Sequence, residues 1–126
     1  MQPSFLTLDE VLALHAMQVR LFGGATGIRD LALLESAVAN AEATFGGTLL
    51  HTTPFEVAAA YLYGICRNHP FVDGNKRAAA AAALTFLDLN GLAVVADEDA
   101  IYELIIGVAE GHVSKAAVAV FFEQHG

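Results

Sequence analysis

Apolar residues recur at helical spacing along most of this chain, and polar capping residues or glycines separate the repeats. Apolar positions three and four residues apart indicate amphipathic helices, and Ser, Thr or Asp before such a run marks a helix start. The pattern predicts six helices, at residues 7–21, 30–44, 53–67, 75–90, 97–110 and 114–124. Because this helical fraction far exceeds that of an average globular protein, we predict an all-α fold.

The third and fourth predicted helices carry the most apolar sequence. The third is apolar nearly all round between Phe55 and Cys66, and the fourth contains six consecutive alanines at 78–83. A helix without a polar face is typically buried, so we expect this pair to form the centre of one domain spanning 1–126. We expect Cys66, and His15 on the apolar stripe of the first helix, to be core residues.

Two short segments favour extended structure over helix. Residues 46–53 contain the β-branched and apolar stretch 48–52, which predicts a short flap hairpin or an ordinary interhelical loop. Residues 94–95, both valine, are expected to be briefly extended. A glycine-punctuated loop at 23–30 connects the first two helices.

Composition restricts the classes of function. The net charge of −8 disfavours nucleic-acid binding, because a polyanion would be repelled by most of the surface. No apolar stretch approaches the roughly 18 residues of a membrane span, and no signal peptide is expected. One cysteine cannot form an internal disulfide and fits a reducing compartment, so we expect a cytoplasmic protein. Composition leaves oligomerisation open.

The scarce positive charge is concentrated in one part of the chain. Three of the six Lys and Arg residues are Arg67, Lys76 and Arg77. An acidic chain with such a cluster is expected to hold a small anion there. The alternative is a local network of ion pairs with Asp73 or Asp88.

The start of the fourth helix combines groups that suit a phosphate. A helix N-terminus presents unpaired N–H groups and a positive partial charge. Gly74 lets an anion approach the backbone, Asn75 adds an amide donor, and Lys76 and Arg77 add charge. Cations at this end of a helix are unfavourable unless an anion accompanies them, so we expect a bound phosphate.

The loop before this helix adds two side chains that suit catalysis. Asp73 beside a phosphate suits Mg²⁺, and its alternative role is to cap the fourth helix. Histidine, with an ordinary pKa of about 6.5, can take a proton from an incoming hydroxyl, which makes His69 a candidate base. Pro70 predicts an extended backbone at His69, and Phe71 is expected to anchor the loop in the core. The spacing matches neither a Walker loop, nor a zinc site, nor a serine-hydrolase elbow.

This stretch resembles the motif of a known family. The sequence H-P-F-V-D-G-N at 69–75 resembles the Fic motif H-x-F-x-[DE]-G-N, and N-K-R at 75–77 resembles the Doc branch of the Fic/Doc family. Weaker similarity extends to G-I-R-D at 27–30 and L-D-L-N-G at 87–91.

The resemblance implies an ATP-dependent transferase that acts on a protein hydroxyl. His69 would be the general base, and Asp73 would bind the Mg²⁺ that bridges the ATP phosphates. Gly74 and Asn75 would form the anion hole for the transferring group. The remaining phosphate contacts would come from the two cations that follow, Lys76 and Arg77.

Two departures from the general pattern G-N-G-R-x-x-R bear on the reaction. Lys76 replaces the second glycine, and Ala80 replaces the second arginine. Doc proteins share both departures and resemble kinases, transferring the γ-phosphate of ATP to a threonine of elongation factor Tu and so stopping translation. Gly74 is the general Fic residue where the phage Doc motif has alanine, which keeps adenylyl transfer open. A non-catalytic module that binds a nucleotide or an antitoxin is the third alternative.

The resemblance also implies partners. The inhibitory motif [ST]-x-x-x-E-[GN] is not matched, because Ile106 stands at the hydroxyl position before Glu110. Restraint would then come from a separate Phd-like antitoxin with a disordered tail that folds on binding. Residues 46–53 match the family's flap in position, which pairs with an extended target segment by strand addition.

Overall fold

The computed structural model describes residues 3–126 and confirms an all-α fold with six helices and one small hairpin. The elements, in chain order, are α1 (Leu8–Phe22), α2 (Leu31–Ala41), β1 (Thr44–Phe45), β2 (Thr48–Leu49), α3 (Pro54–Asn68), α4 (Asn75–Leu89), α5 (Glu98–Ala109) and α6 (Lys115–His125).

Side chains cap five of the six helices at their N-termini. Each cap accepts a hydrogen bond from the backbone N–H three residues on, which satisfies a donor that the helix itself leaves unpaired. At α1 the cap is a full capping box, in which Thr7 and Glu10 exchange bonds. The capping residues are Thr7, Asp30, Thr53, Asp97 and Ser114. These short-range signals are why the predicted helix starts were confirmed.

Helices α3 and α4 form the centre of the core, as the sequence predicted. The buried residues of α3 are Val57, Ala58, Ala59, Ala60, Tyr61, Leu62, Ile65 and Cys66. Those of α4 are Asn75, Ala78, Ala79, Ala82, Ala83, Phe86 and Leu87. Because alanine adds only a methyl group, the alanine face of α4 lets the two helices approach closely. The predicted core role of Cys66 is confirmed, and burial raises the pKa of its thiol.

The structure confirms a short hairpin in this part of the chain, but its first strand begins earlier than the sequence predicted. The second helix was predicted to continue to Thr44, but α2 ends at Ala41 and Thr44–Phe45 pairs antiparallel with Thr48–Leu49. The two residues between the strands, Gly46 and Gly47, have φ of 60° and 82°. Tight hairpin turns favour positive φ at both positions, so the glycine pair takes the chain into a hairpin instead of a longer helix.

Two smaller expectations concern the backbone at residues 94–95 and membrane-spanning helices. Residues 94–95 were expected to be extended, but they belong to no strand; the Val95 N–H instead donates to the carbonyl of His125. None of the helices within residues 3–126 has the length and hydrophobicity that a membrane crossing requires.

Candidate active site

The six residues that the sequence singled out lie around one cavity. Its volume is about 690 Å³, and it is bounded by the end of α1, the start of α4 and one face of α5. The residues of the predicted site that line it are His69, Asp73, Gly74, Asn75, Lys76 and Arg77. The fold therefore brings the candidate base, the candidate metal ligand and the helix N-terminus to the same place.

The site loop, defined as residues 69–74, is anchored by Phe71 and Asn75. Phe71 is fully buried, which confirms its predicted anchoring role. Its N–H donates to Asn75 Oδ1 at 2.9 Å, and Asn75 Nδ2 donates back to the Phe71 carbonyl at 3.0 Å. The Asn75 side chain is therefore engaged within the loop through its oxygen and one of its two N–H groups.

His69 ends α3 in the left-handed conformation, with φ 50° and ψ 54°. The expected extended backbone is therefore wrong. A non-glycine residue with positive φ is uncommon and persists only where its surroundings hold it. Here Arg29 holds it, since its Nε donates to the His69 carbonyl at 2.6 Å and its Nη2 to the Asn68 carbonyl at 2.9 Å. The imidazole itself is exposed at the cavity wall.

The glycine-punctuated loop between α1 and α2 lies beside the site loop almost as a strand would. Val72 N–H donates to the Gly27 carbonyl at 3.1 Å, and Arg29 N–H donates to the Pro70 carbonyl at 2.7 Å. Ile28 and Phe71 form an antiparallel bridge. Sequence reasoning missed this support. The signal available in the sequence was Arg29, because arginine is scarce in this acidic chain and this one lies in a glycine-rich loop.

Asp73 is held by two backbone N–H groups. Its Oδ2 accepts from Ala25 at 3.1 Å and its Oδ1 accepts from Gly74 at 2.9 Å. These bonds, the one from Ala25 first, lower the pKa of the Asp73 carboxyl. The alternative role as a helix cap is wrong: the N-cap of α4 is Gly74, and no side chain caps this helix.

The environment of Asp73 fits a metal ion that arrives with a phosphate. Each carboxylate oxygen accepts one N–H bond and keeps a further lone pair, and the side chain is exposed at the cavity. Across residues 3–126 there is no group of three or more His, Cys, Asp or Glu able to hold a metal. A single carboxylate completed by phosphate oxygens and water is the ligand set typical of Mg²⁺ with a nucleotide.

Two of the three clustered cations reach the cavity. Lys76 and Arg77 line it, and the Arg77 guanidinium lies 4.9 Å from the ring centre of Phe22 on α1. Arg67 does not, because its Nη1 donates to the carbonyls of Val108 and Ala109, at 3.2 Å each, at the end of α5. For Arg67 the predicted anion contact is therefore wrong.

The far half of the cavity is largely apolar, although Glu98 of α5 also lines the cavity. Past the first turn of α4 its walls are made by small and aliphatic side chains of α4 and by one face of α5. These residues are Ala80, Ala81, Leu84, Ile101, Tyr102 and Ile105. A polar end that holds charge, joined to an apolar end, suits an elongated ligand with a phosphate at one end and a flat ring at the other.

Comparisons with known proteins place the chain in a family. The family model described as the Fic/DOC family matches residues 5–87. "Toxin Doc" of Mycolicibacterium smegmatis is 49% identical over 95 residues, covering 75% of this chain and 71% of the relative. "Protein kinase doc" of Escherichia phage P1 is 36% identical over 111 residues, covering 88% and 86%. The resemblance first seen in the motif at 69–77 thus extends over most of the chain. The chain belongs to the Fic/DOC family, on its Doc branch.

Proposed function

We propose that this protein is a Doc-like toxin of a toxin–antitoxin system, which transfers the γ-phosphate of ATP to a hydroxyl of a protein target. The two relatives are named as a toxin and as a protein kinase. The observation that carries the proposal is the cavity itself, in which His69, Asp73 and the start of α4 meet. Elongation factor Tu is the target class, and the acceptor is a threonine.

His69 is the general base in this proposal. The residue is exposed at the cavity wall, and Arg29 fixes its backbone. The imidazole is therefore presented to an incoming hydroxyl from a rigid backbone. A positioned base of this kind contributes about 10²- to 10⁴-fold to a rate.

The start of α4 holds the transferring phosphate. The first-turn N–H groups of Asn75, Lys76 and Arg77 have no acceptor within the helix, and the two cations add charge. Asn75 contributes through its backbone, because its side chain is used within the loop. Gly74 contributes less, since its N–H is bonded to Asp73. Mg²⁺, held by Asp73, would neutralise charge on the phosphates.

The apolar half of the cavity suggests how the donor lies. Leu84 is nine residues beyond Asn75, which is about 13.5 Å along the helix axis at 1.5 Å per residue. An extended nucleoside triphosphate spans a similar length. With its base between Leu84 and Tyr102, the phosphate that reaches His69 is the terminal one. Ala80 keeps this path open, because the general Fic pattern would place an arginine there. This orientation favours γ-phosphate transfer over adenylyl transfer.

The test is to incubate the protein with elongation factor Tu, Mg²⁺ and ATP labelled at the γ-phosphate. We expect labelled factor whose mass has risen by one phosphate, and no label with His69→Ala. His112→Ala is the matched control, since His112 is exposed and lies outside the cavity lining. Label that arrives only from α-labelled ATP would establish adenylyl transfer, and nucleotide binding without transfer would indicate a binding module.

The partner in this proposal is a Phd-like antitoxin that acts in the cytoplasm. Helix α5 ends at Ala109 with Glu110 as its C-cap, and Ile106 supplies no hydroxyl one turn earlier. The chain therefore lacks the Fic pattern for self-inhibition. Expression of the wild-type protein alone should stop growth, whereas co-expression with the neighbouring gene should restore it. Growth that is unaffected by the wild-type protein alone would contradict the toxin assignment.

A further inference from the structure

A buried histidine on α1 touches the site loop at two points. His15 is 5% exposed, and its ring stacks on Phe71 with the centroids 3.7 Å apart and the planes at 2°. Its Nε2 lies 2.7 Å from the carbonyl oxygen of Asp73. The predicted core role of His15 is thus confirmed, but one of its partners is the backbone of the candidate metal ligand.

The direction of this hydrogen bond follows from chemistry. A carbonyl oxygen can only accept, so His15 Nε2 must carry the proton and donate it. A phenylalanine at position 15 could stack on Phe71 but could not make this bond. The bond is therefore separable from the packing of the ring.

The bond acts on the Asp73 carboxylate through one rigid peptide group. The Asp73 carbonyl and the Gly74 N–H belong to the same planar unit. When His15 holds the carbonyl end, it sets the direction of the N–H end, and that N–H donates to Asp73 Oδ1 at 2.9 Å. Gly74 itself packs against the imidazole, because a Cβ placed there would lie 3.5 Å from His15 Nε2.

We propose that His15 is a positioning residue, which orients the Asp73 carboxylate by fixing the peptide between Asp73 and Gly74. The inference rests on the proposed function in one respect only, which is that Asp73 binds the metal ion that accompanies the nucleotide. The orientation of the peptide can be observed in the protein alone.

Two substitutions separate positioning from packing. His15→Phe keeps a ring against Phe71 and removes the donor, whereas His15→Gln removes the ring and keeps an N–H at a similar reach. If His15 only fills space, the phenylalanine variant is the better substitute. If it positions the peptide, the glutamine variant is better. His125→Phe is the matched control, since His125 also stacks on a phenylalanine, Phe121, at 4.1 Å and contacts a carbonyl at 2.8 Å, away from the cavity.

The first measurement needs no ligand. In an amide NMR spectrum, the Gly74 N–H proton of His15→Phe should move upfield, because its bond to Asp73 Oδ1 weakens. His15→Gln should return it most of the way, and His125→Phe should leave it unchanged. A Gly74 resonance that stays in place in a folded His15→Phe protein would overturn the proposal.

The second measurement is the affinity for Mn²⁺ with a non-hydrolysable ATP analogue, together with the melting temperature. Loss of one positioning hydrogen bond should weaken binding about five- to tenfold in His15→Phe and less in His15→Gln. A larger loss in His15→Gln, in step with its melting temperature, would mean packing alone. Wild-type protein that binds the nucleotide but transfers nothing would refute the proposed function and leave this inference standing.

Discussion

The site loop and the hairpin segment, which we define as residues 43–50, are held by opposite kinds of hydrogen bonding. Both are short irregular segments that lead into one of the two central helices. The site loop is bonded by α1, by the loop that follows it and by α4. The hairpin segment is bonded mainly to itself, through the strand pair and the bond from Leu50 N–H to the Ala43 carbonyl, and Ala43 N–H also donates to the Asn40 carbonyl of α2. Its Phe45 is 84% exposed, whereas Phe71 in the site loop is fully buried.

The difference separates the part of the molecule that positions chemistry from the part that can adapt. Groups that act on a phosphate must be held closely, and rigid support from several elements provides this. A short hairpin with few buried contacts has a low cost of local opening and an available edge. An extended segment of a protein target can pair with such an edge, which is the role that the family resemblance implies for residues 46–53.

The largest expected contrast comes from the same substitution in both regions. Phe71→Ala removes a fully buried ring and should lower the free energy of unfolding by about 3–5 kcal/mol. Phe45→Ala removes an exposed ring and should change it by about 0.5 kcal/mol or less. Urea denaturation of the two variants measures both values. Similar losses would mean that the hairpin is packed more tightly than its exposure indicates.

A smaller contrast concerns the two-way bond of Asn75. Asn75→Ala leaves the N–H and carbonyl of Phe71 buried without partners, which should cost about 2–4 kcal/mol. The matched control is Asn40→Ala, at an exposed position of α2, which should be neutral or slightly stabilising because alanine favours helix. Thermal unfolding of both variants provides the measurement, and a neutral Asn75→Ala would show that the loop does not need this brace.

Sequence reasoning succeeded where the physical cause is local. Helix starts at Thr7 and Thr53 were predictable because a cap and its N–H partner lie within three residues of each other. The anchor at Phe71 was predictable because burying a large aromatic side chain is favourable, although the exposed Phe45 shows that not every such side chain is buried. The clustering of the motif residues around one cavity follows from their closeness in the chain.

Sequence reasoning failed where the interacting residues are far apart in the chain. Arg29 reaches the His69 carbonyl from 40 residues away, and His15 reaches the Asp73 carbonyl from 58 residues away. No local pattern encodes either bond. The rule that the residue before a proline is extended did not hold at His69, because the end of α3 and Arg29 together fix another conformation. Asn75 is a different case, because its side chain bonds Phe71 only four residues away and the sequence did not indicate this bond.

A third prediction tests how closely the neighbouring loop approaches Asp73. A Cβ at Gly24 would lie 2.8 Å from Asp73 Oδ2, whereas a Cβ at Gly23 would meet nothing within 4 Å. Both glycines have positive φ, so alanine is strained at either position. Gly24→Ala should therefore be less stable than Gly23→Ala by about 1–2 kcal/mol, the scale of a local strain. It should also bind Mn²⁺ with the ATP analogue more weakly. Equal behaviour of the two variants would mean that Asp73 moves freely away from the loop.

The smallest contrast is in the response to acid, and it depends on Asp73 in the site loop and on His51, which lies just beyond the hairpin segment. His51, just after β2, is buried, and its Nε2 lies 3.2 Å from Lys115 Nζ. Burial, and then the charge of Lys115, lower the pKa of His51 below its ordinary 6.5, against an opposing contribution from Glu56. The N–H groups that hold Asp73 lower the pKa of its carboxyl below 3.8. A depressed folded pKa stabilises the fold above the unfolded pKa, and the stability is lost as pH falls through the folded value.

Acidification should therefore lower the local stability around the hairpin segment and His51 before it affects the site loop. Below pH 6.5 the unfolded state binds a proton at position 51 more readily than the fold does, so hydrogen-exchange protection next to the hairpin should fall as the pH drops below 6.5. The Ala25 and Gly74 amides, held by Asp73, should keep their protection until the pH drops below 3.8. His51→Gln removes the titrating group and should flatten the first response without changing the second. If protection in the site loop fell first, or if His51→Gln left the hairpin response intact, the contrast in electrostatic support between the two regions would be wrong.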